Sequence, residues 1–151
     1  LPSVDLDLEN VVIYDSSASS GMEIFSETGT LEQSFQNIPL EIFYTITSEM
    51  GDTFVNFSVN DEIFEDVINS KLVINLEVRT VPTSELQLPF TILQSQDAVT
   101  INNYFANNIG LIQSETETTV AFEELPIPGF SLEDLEFNTL QLLIDYSVSL
   151  E

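Results

Sequence analysis

Apolar and polar residues alternate with a period of two along most of this chain. The alternation is clearest from Leu72 to Val78 and from Leu140 to Leu150, and a shorter run spans residues 4–8. Such alternation is typical of strands that bury one face and leave the other in water. It predicts a mostly β protein with antiparallel strands, because the long helices that would connect parallel strands are missing.

We expect roughly nine or ten strands, arranged either as a β-sandwich or as one strongly curved, half-barrel sheet. A turn is predicted at Met50-Gly51-Asp52, and Val81–Ser84 is predicted to end a strand. Two short helices are also predicted. Asp61–Ser70 has apolar residues at helical spacing, and Ser131–Asp134 resembles a capping box.

The length of 151 residues predicts a single domain over residues 1–151. The composition is 43% hydrophobic and includes 11 Phe, so the chain can bury a core despite its charge. No stretch approaches the ~20 apolar residues that a membrane-spanning helix needs.

Charge excludes several classes of partner and of chemistry. The sequence has two basic residues against 26 acidic ones, a formal net charge of −24, and neither His nor Cys. A chain of this charge is repelled by nucleic acid and by other copies of itself, so we expect no nucleic-acid partner and a monomer. Without His or Cys there is no imidazole base, no thiolate nucleophile and no disulfide.

The remaining catalytic arrangements have weak support in the sequence, and we therefore expect no enzymatic activity. Ser70 and Lys71 are adjacent in a predicted strand, where neighbouring side chains point to opposite faces, so they cannot form a Ser–Lys pair. An acid-pair glycoside hydrolase stays as an alternative, because many carboxylates are available as acid and base.

Calcium is the metal that the acidic clusters would suit, because Ca²⁺ takes carboxylate and carbonyl oxygens as ligands. No organic cofactor is expected, since no phosphate-binding loop is present. Two clusters are the candidate metal sites, one on a predicted strand face and one at a predicted junction between a strand and a helix. Their residues are Asp5, Asp7 and Glu9, and Asp61, Glu62, Glu65 and Asp66.

The most distinctive segment is Asn103–Glu115, with the sequence NYFANNIGLIQSE. It resembles a pattern in secreted lipoproteins of Gram-negative, Bacteroidetes-type bacteria, in which two aromatic residues and Ala end a strand and a Gly-containing strand follows the turn. Asn107-Asn108 occupies the turn where Gly or Lys-Gly is common in that pattern. The resemblance implies a β-rich domain that is extracellular, periplasmic or associated with the outer membrane, in some cases similar to lipoprotein carriers.

We therefore expect a non-enzymatic secreted or cell-envelope domain with a binding or structural role. The alternative is a carrier or binder of a hydrophobic ligand, with a pocket lined by some of the Phe side chains. The partners that fit these roles are an envelope protein, a glycan or a hydrophobic molecule.

Overall fold

The computed structural model describes residues 10–126, 128–129 and 131–144. Over these residues the chain forms one open sheet of six strands, in which each strand pairs antiparallel with the next along the sequence. The strands are β1 (Glu23–Phe35), β2 (Ile38–Val59), β3 (Glu62–Thr80), β4 (Thr91–Ala106), β5 (Gly110–Val120) and β6 (Leu135–Leu142). The predicted antiparallel β class is confirmed, although the described residues form a single sheet and not the two layers of a sandwich.

Two hairpins are closed by turns of two residues, both with positive φ. The first turn is Gln36-Asn37, at 49° and 64°, and the second is Asn60-Asp61, at 50° and 66°. Positive φ at both central positions is characteristic of the type I′ turn, whose twist matches that of the flanking strands.

β2 and β3 are longer than predicted, because irregularities inside them resemble turn and helix patterns. The turn predicted at Met50-Gly51-Asp52 is wrong: β2 continues through it, and the register with β3 shifts between Met50 and Thr53. The helix predicted over Asp61–Ser70 is also wrong, since Asp61 lies in the turn and the remaining residues belong to β3. Asp66 has a φ of 53°, and the buried residues on either side of it are three positions apart, as in a helix.

The second predicted helix, Ser131–Asp134, is wrong as well. These residues belong to no helix or strand and lead into β6, and the Asp134 carboxylate accepts a hydrogen bond from the Phe122 N–H at 2.8 Å. The predicted strand Leu140–Leu150 is confirmed only as far as Leu142, and β6 already begins at Leu135. Residues 145–150 of that prediction, and the run at residues 4–8, lie outside the described residues.

One face of the sheet, here called the Ser70 face, carries the side chains of Ser70, Leu72 and Ile74. Leu72 and Ile74 form a buried cluster with Ile46 of β2, and Val11 packs against it. The Ser70 hydroxyl donates a hydrogen bond to the Ile13 carbonyl. The irregular segment of residues 10–22 therefore covers this part of the face.

The opposite face, here called the Lys71 face, also carries a buried apolar cluster near the Asn60-Asp61 turn. Val67 and Ser70 are both fully buried and lie three residues apart where the β3–β4 register is regular, so their side chains point to opposite faces. Tyr104 pairs with Asn69 on the Lys71 face, and its ring stacks on Phe57 at 4.6 Å. The buried residues of this turn-end cluster are Val59, Phe64, Val67, Ala106 and Ile112.

None of the described residues belongs to a helix that is long and apolar enough to cross a membrane.

Candidate functional site

An apolar cavity of about 160 Å³ lies on the Ser70 face, beneath the connection between β5 and β6. All of its lining side chains are apolar, and they come from β1 to β6 and from the connection itself. The lining residues are Phe35, Leu40, Ile42, Leu76, Val78, Ile92, Leu93, Val120, Phe122, Leu132 and Leu135. Because no lining side chain can hydrogen-bond to a water molecule, an apolar group fits this cavity better than water does.

The connection over the cavity is attached to the sheet by a backbone hydrogen bond and is stabilised internally by a hydrogen bond to a side chain. The Glu123 N–H donates to the Ile92 carbonyl at 2.8 Å, and Asp134 fixes Phe122 through the bond described above. Phe122, Leu125 and Leu132 then pack against the buried pair Leu40 and Ile92. The roof of the cavity is therefore an irregular segment and not a strand of the sheet.

A second, larger cleft of about 730 Å³ lies on the Ser70 face near the turns. Its apolar floor includes Ile68 and Phe105, and the ring of Tyr14 lies 5.1 Å from that of Phe105. Asn107, Asn108 and the residues around them form its rim, so part of the segment Asn103–Glu115 lines this cleft. The chemistry of the rim is that of amides, backbone groups and a single carboxylate from Asp66. Together with the Ser16 hydroxyl, this set can bind polar groups.

Gly110 has a φ of 101°, and a Cβ at that position would meet no atom within 4 Å. Gly110 is the first residue of β5 and pairs with Ala106, and the β4–β5 register shifts one pair farther along, between Phe105 and Tyr104. Asn108, with a φ of 61°, completes the turn that precedes β5.

Both basic residues lie on the Lys71 face and interact with glutamates. Lys71 Nζ is 3.9 Å from the Glu49 carboxylate, its cross-strand partner. The Arg79 guanidinium pairs with Glu77 and lies 5.4 Å from the centre of the Phe43 ring. Lys71, Glu49 and Arg79 are exposed and Glu77 is half-buried, so the ion pairs contribute little to stability and leave the surface strongly acidic.

The buried polar side chains of the described residues are all uncharged. They are Ser48, Ser70, Thr80, Asn103 and Ser114. Ser114 donates to the Asn103 side-chain oxygen at 2.8 Å, whereas the Ser48 hydroxyl has no partner among the described residues. A carboxyl held in an apolar environment, as a general acid requires, is absent from this set.

Tyr104 is a partly buried ionisable group of the turn-end cluster. Burial raises the pKa of its phenol, and the nearby Glu115 carboxylate raises it further. Its ring contacts Phe57 and lies 6.1 Å from that of Phe54. In the N-terminal segment the pKa of Asp15 is lowered, because the Ser17 hydroxyl and then the Ser17 N–H donate hydrogen bonds to it.

One of the two clusters predicted to bind calcium lies around the β2–β3 turn, and the other lies outside the residues that the structure describes. Asp61, Glu62, Glu65 and Asp66 are exposed at the turn and in the first residues of β3. Within residues 10–126, 128–129 and 131–144, no group of three or more acidic side chains is close enough to hold a metal ion. Asp5, Asp7 and Glu9 are not described. Calcium binding stays a prediction, which thermal melts in CaCl₂ and in NaCl of equal ionic strength test.

The apolar cavity was not predicted in this form. Two of the Phe residues, Phe35 and Phe122, do line it, but most of its wall is aliphatic. Phe54, Phe57 and Phe64 belong instead to the turn-end cluster. Period-two alternation would have shown that the aliphatic residues are buried, but not that they surround a space.

Comparison with protein families, curated proteins and solved structures adds no relative to this picture: no family model, curated protein or solved structure matches the chain.

Proposed function

We propose that this chain is a non-enzymatic binding domain of a secreted or cell-envelope protein and that its binding site is the apolar cavity beneath the β5–β6 connection. The observation that carries the proposal is that all of the side chains lining this cavity are apolar. The resemblance of Asn103–Glu115 to envelope lipoproteins and the strongly acidic surface support a place outside the cytoplasm.

The size of the cavity limits what it holds. A volume of about 160 Å³ is close to that of cavities that bind a single aromatic ring. It is smaller than the roughly 300 Å³ at which pockets for drug-sized ligands begin. The ligand class is therefore a small apolar molecule, or the end of an acyl chain that enters beneath the connection. A whole lipid would require the connection to move.

Fluorescence of the apolar probe N-phenyl-1-naphthylamine, whose phenyl ring has the size of the single ring that the cavity holds, tests this proposal in a titration with the purified protein. Leu132→Phe places a larger side chain in the roof of the cavity, and Leu88→Phe makes the same change at a residue that is 69% exposed. We expect the native protein and Leu88→Phe to enhance the fluorescence equally, and Leu132→Phe to bind the probe about tenfold more weakly. Equal binding by all three proteins, or by none, would contradict the proposal.

Native mass spectrometry of the freshly purified protein provides the second measurement. A bound apolar molecule that is retained by the native protein and lost from Leu132→Phe would identify the ligand. The acid-pair hydrolase has no support from any buried carboxyl among the described residues, and we do not propose it.

A further inference from the structure

The two edges of the sheet differ in how they are protected against pairing with another strand. β1 carries exposed glutamates at Glu23, Glu27 and Glu32 and an irregular register at its start. Charges and bulges of this kind are common devices that keep an edge strand from adding a partner. β6 has one acid, Glu136, and exposes large apolar side chains instead. These are Phe137 at 54%, Leu140 at 55% and Leu142 at 36%.

The outer edge of β6 presents backbone groups in a regular order. The Leu143 N–H donates to the Ile112 carbonyl at 2.9 Å, which places residue 143 among those that bond inward to β5. In an antiparallel ladder the inward and outward residues alternate. Asn138, Leu140 and Leu142 therefore direct their N–H and carbonyl groups outward, where the described residues supply no further strand.

An acidic groove runs beside this edge on the Lys71 face. It has a volume of about 290 Å³ and is lined by residues of β4, β5 and β6. Glu115 and Glu117 lie in it, paired across the ladder with Leu140 and Asn138. Lys71 lies two strands away on the same face and pairs with Glu49, so neither Glu115 nor Glu117 has an ion pair among the described residues.

We propose that the β6 edge binds an extended, basic segment of another protein as a seventh strand. Strands in a sheet are about 4.8 Å apart, so a long Lys or Arg side chain on the added strand extends over β6 towards the groove. There it meets Glu115 and Glu117, while the alternate, apolar side chains of the same strand lie on the Ser70 face beside Phe137. Backbone hydrogen bonds give affinity, and the charges select the partner.

Charge complementarity decides between the possible occupants. A second copy of this chain would bring another net charge of −24 to an edge that is already acidic, whereas a basic segment relieves the repulsion. The proposal goes beyond the apolar cavity and does not depend on it, because the cavity lies under the Ser70 face and the groove is on the Lys71 face.

The test uses a fluorescent peptide of alternating Lys and Val, as long as β6, and measures its anisotropy with the full chain. A peptide of alternating Lys and Pro has the same charge but cannot form a strand, and one of alternating Glu and Val reverses the charge. We expect only the Lys–Val peptide to bind at low salt and its affinity to fall as salt is added. Equal binding of the Lys–Pro peptide would show attraction by charge alone and would overturn the proposal.

Two sets of variants locate the site. Asn138→Pro removes an outward N–H and Asn138→Thr keeps it, so we expect about tenfold weaker binding for the proline variant alone. Glu115→Gln with Glu117→Gln should weaken binding and reduce its salt dependence, whereas Glu27→Gln with Glu32→Gln on the β1 edge should change neither. Circular dichroism confirms that each variant is folded.

Hydrogen exchange gives a readout that does not depend on the variants. The bound peptide should protect the amides of Asn138, Leu140 and Leu142. Protection confined to β1, or equal binding by Asn138→Pro and Asn138→Thr, would overturn the proposal. Dimerisation of the free chain that Asn138→Pro abolishes, measured by analytical ultracentrifugation in high salt, would assign the edge to a second copy and would also overturn it.

Discussion

The two halves of the long β2–β3 hairpin bury opposite faces of the same sheet. In the half that contains Leu40–Met50 and Ser70–Thr80, the register is unbroken and the buried side chains lie on the Ser70 face. In the half next to the Asn60-Asp61 turn, the buried side chains of Phe64 and Val67 are three positions apart and the cluster lies on the Lys71 face. The change occurs where β2 has its extra residue, between Met50 and Thr53.

A single inserted residue in β2 accompanies this difference. Because side chains alternate along a strand, one extra residue moves every later side chain of β2 to the face opposite the one that its earlier alternation would give, while each residue stays on the same face as its β3 partner. Two apolar surfaces on opposite faces then need two separate covers. Residues 10–22 cover part of the Ser70 face, whereas the turn-end cluster is packed by Phe54, Phe57, Tyr104, Ile109 and Leu143.

The largest expected effect comes from truncating a core side chain in the half of the hairpin with unbroken register, Leu40–Met50 and Ser70–Thr80, here called the regular half. Ile46 is fully buried, and Ile46→Ala should lower the free energy of unfolding by about 2–5 kcal/mol. Val67→Ala, in the turn-end cluster, should cost about 2 kcal/mol if both halves unfold together. Denaturant unfolding of the two variants measures this, and Val55→Ala, at a residue that is 74% exposed, is the control.

Hydrogen exchange sharpens the same comparison. If the halves form one cooperative unit, both substitutions accelerate exchange throughout β2 and β3. Faster exchange confined to residues 54–68 in Val67→Ala, with no change in global unfolding, would show that the turn-end half opens independently.

Gly51→Ala tests the bulge at which the buried face changes. A Cβ on Gly51 would overlap the Asn69 side-chain oxygen and lie 3.1 Å from the Asn69 Cβ. Asn69 would then have to give up its hydrogen bond to the Asn103 carbonyl, so we expect a loss of about 1–3 kcal/mol in denaturant unfolding. In an Asn69→Ala background the same change should cost much less. Equal costs in the two backgrounds would mean that Asn69 is not the obstacle.

Ser48 and Ser70 are matched serines on the buried face of the regular half, one unpaired and one paired among the described residues. Ser70→Ala removes the bond to the Ile13 carbonyl and should cost about 0.5–1.5 kcal/mol, because segment 10–22 loses an attachment. Ser48→Ala removes a buried hydroxyl without a partner and should leave stability equal or raise it by up to about 1 kcal/mol. Thermal melts of both variants measure these changes. Equal destabilisation by the two substitutions would contradict the statement that Ser70 has a hydrogen-bond partner and Ser48 has none.

The smallest expected effect is a pH dependence of the turn-end cluster alone. The pKa of Tyr104 is raised by burial and by Glu115, so the folded state favours the neutral phenol. The stability this contributes is present below the ordinary tyrosine pKa of about 10 and is lost as pH rises through the folded value. Tyr104→Phe should make unfolding less sensitive to alkaline pH, as followed by chemical denaturation and by ultraviolet titration of phenolate. An unchanged pH profile would contradict this prediction.

The sequence predicts the antiparallel β class because apolar and polar residues alternate from Leu72 to Val78, and the structure places this run within β3. It does not predict the strand lengths. A glycine between two strand-like runs fits both a turn and a bulge, and at Gly51 the bulge is formed. The actual turn at Asn60-Asp61 is recognisable by residues that tolerate positive φ, but the apparent helix that follows it hides that signal.

The same irregularity explains why Asp61–Ser70 resembles a helix. The change of face at Asp66 places Phe64 and Val67 three residues apart, which is the spacing of one helical turn. The candidate cavity is less predictable still, because its lining extends from Phe35 to Leu135 and its volume depends on how the β5–β6 connection packs. The strand pattern contains no information about that packing.

The placement of both basic residues in β3 has a consequence for proteolysis. Trypsin cleaves only after Lys or Arg, and among these 151 residues it finds just Lys71 and Arg79. Both lie in a strand that is hydrogen-bonded on each side, to β2 and to β4, so neither bond can enter a protease cleft until the sheet itself opens. Tryptic digestion of the native protein should therefore report the population of the opened sheet and not the fraying of loops.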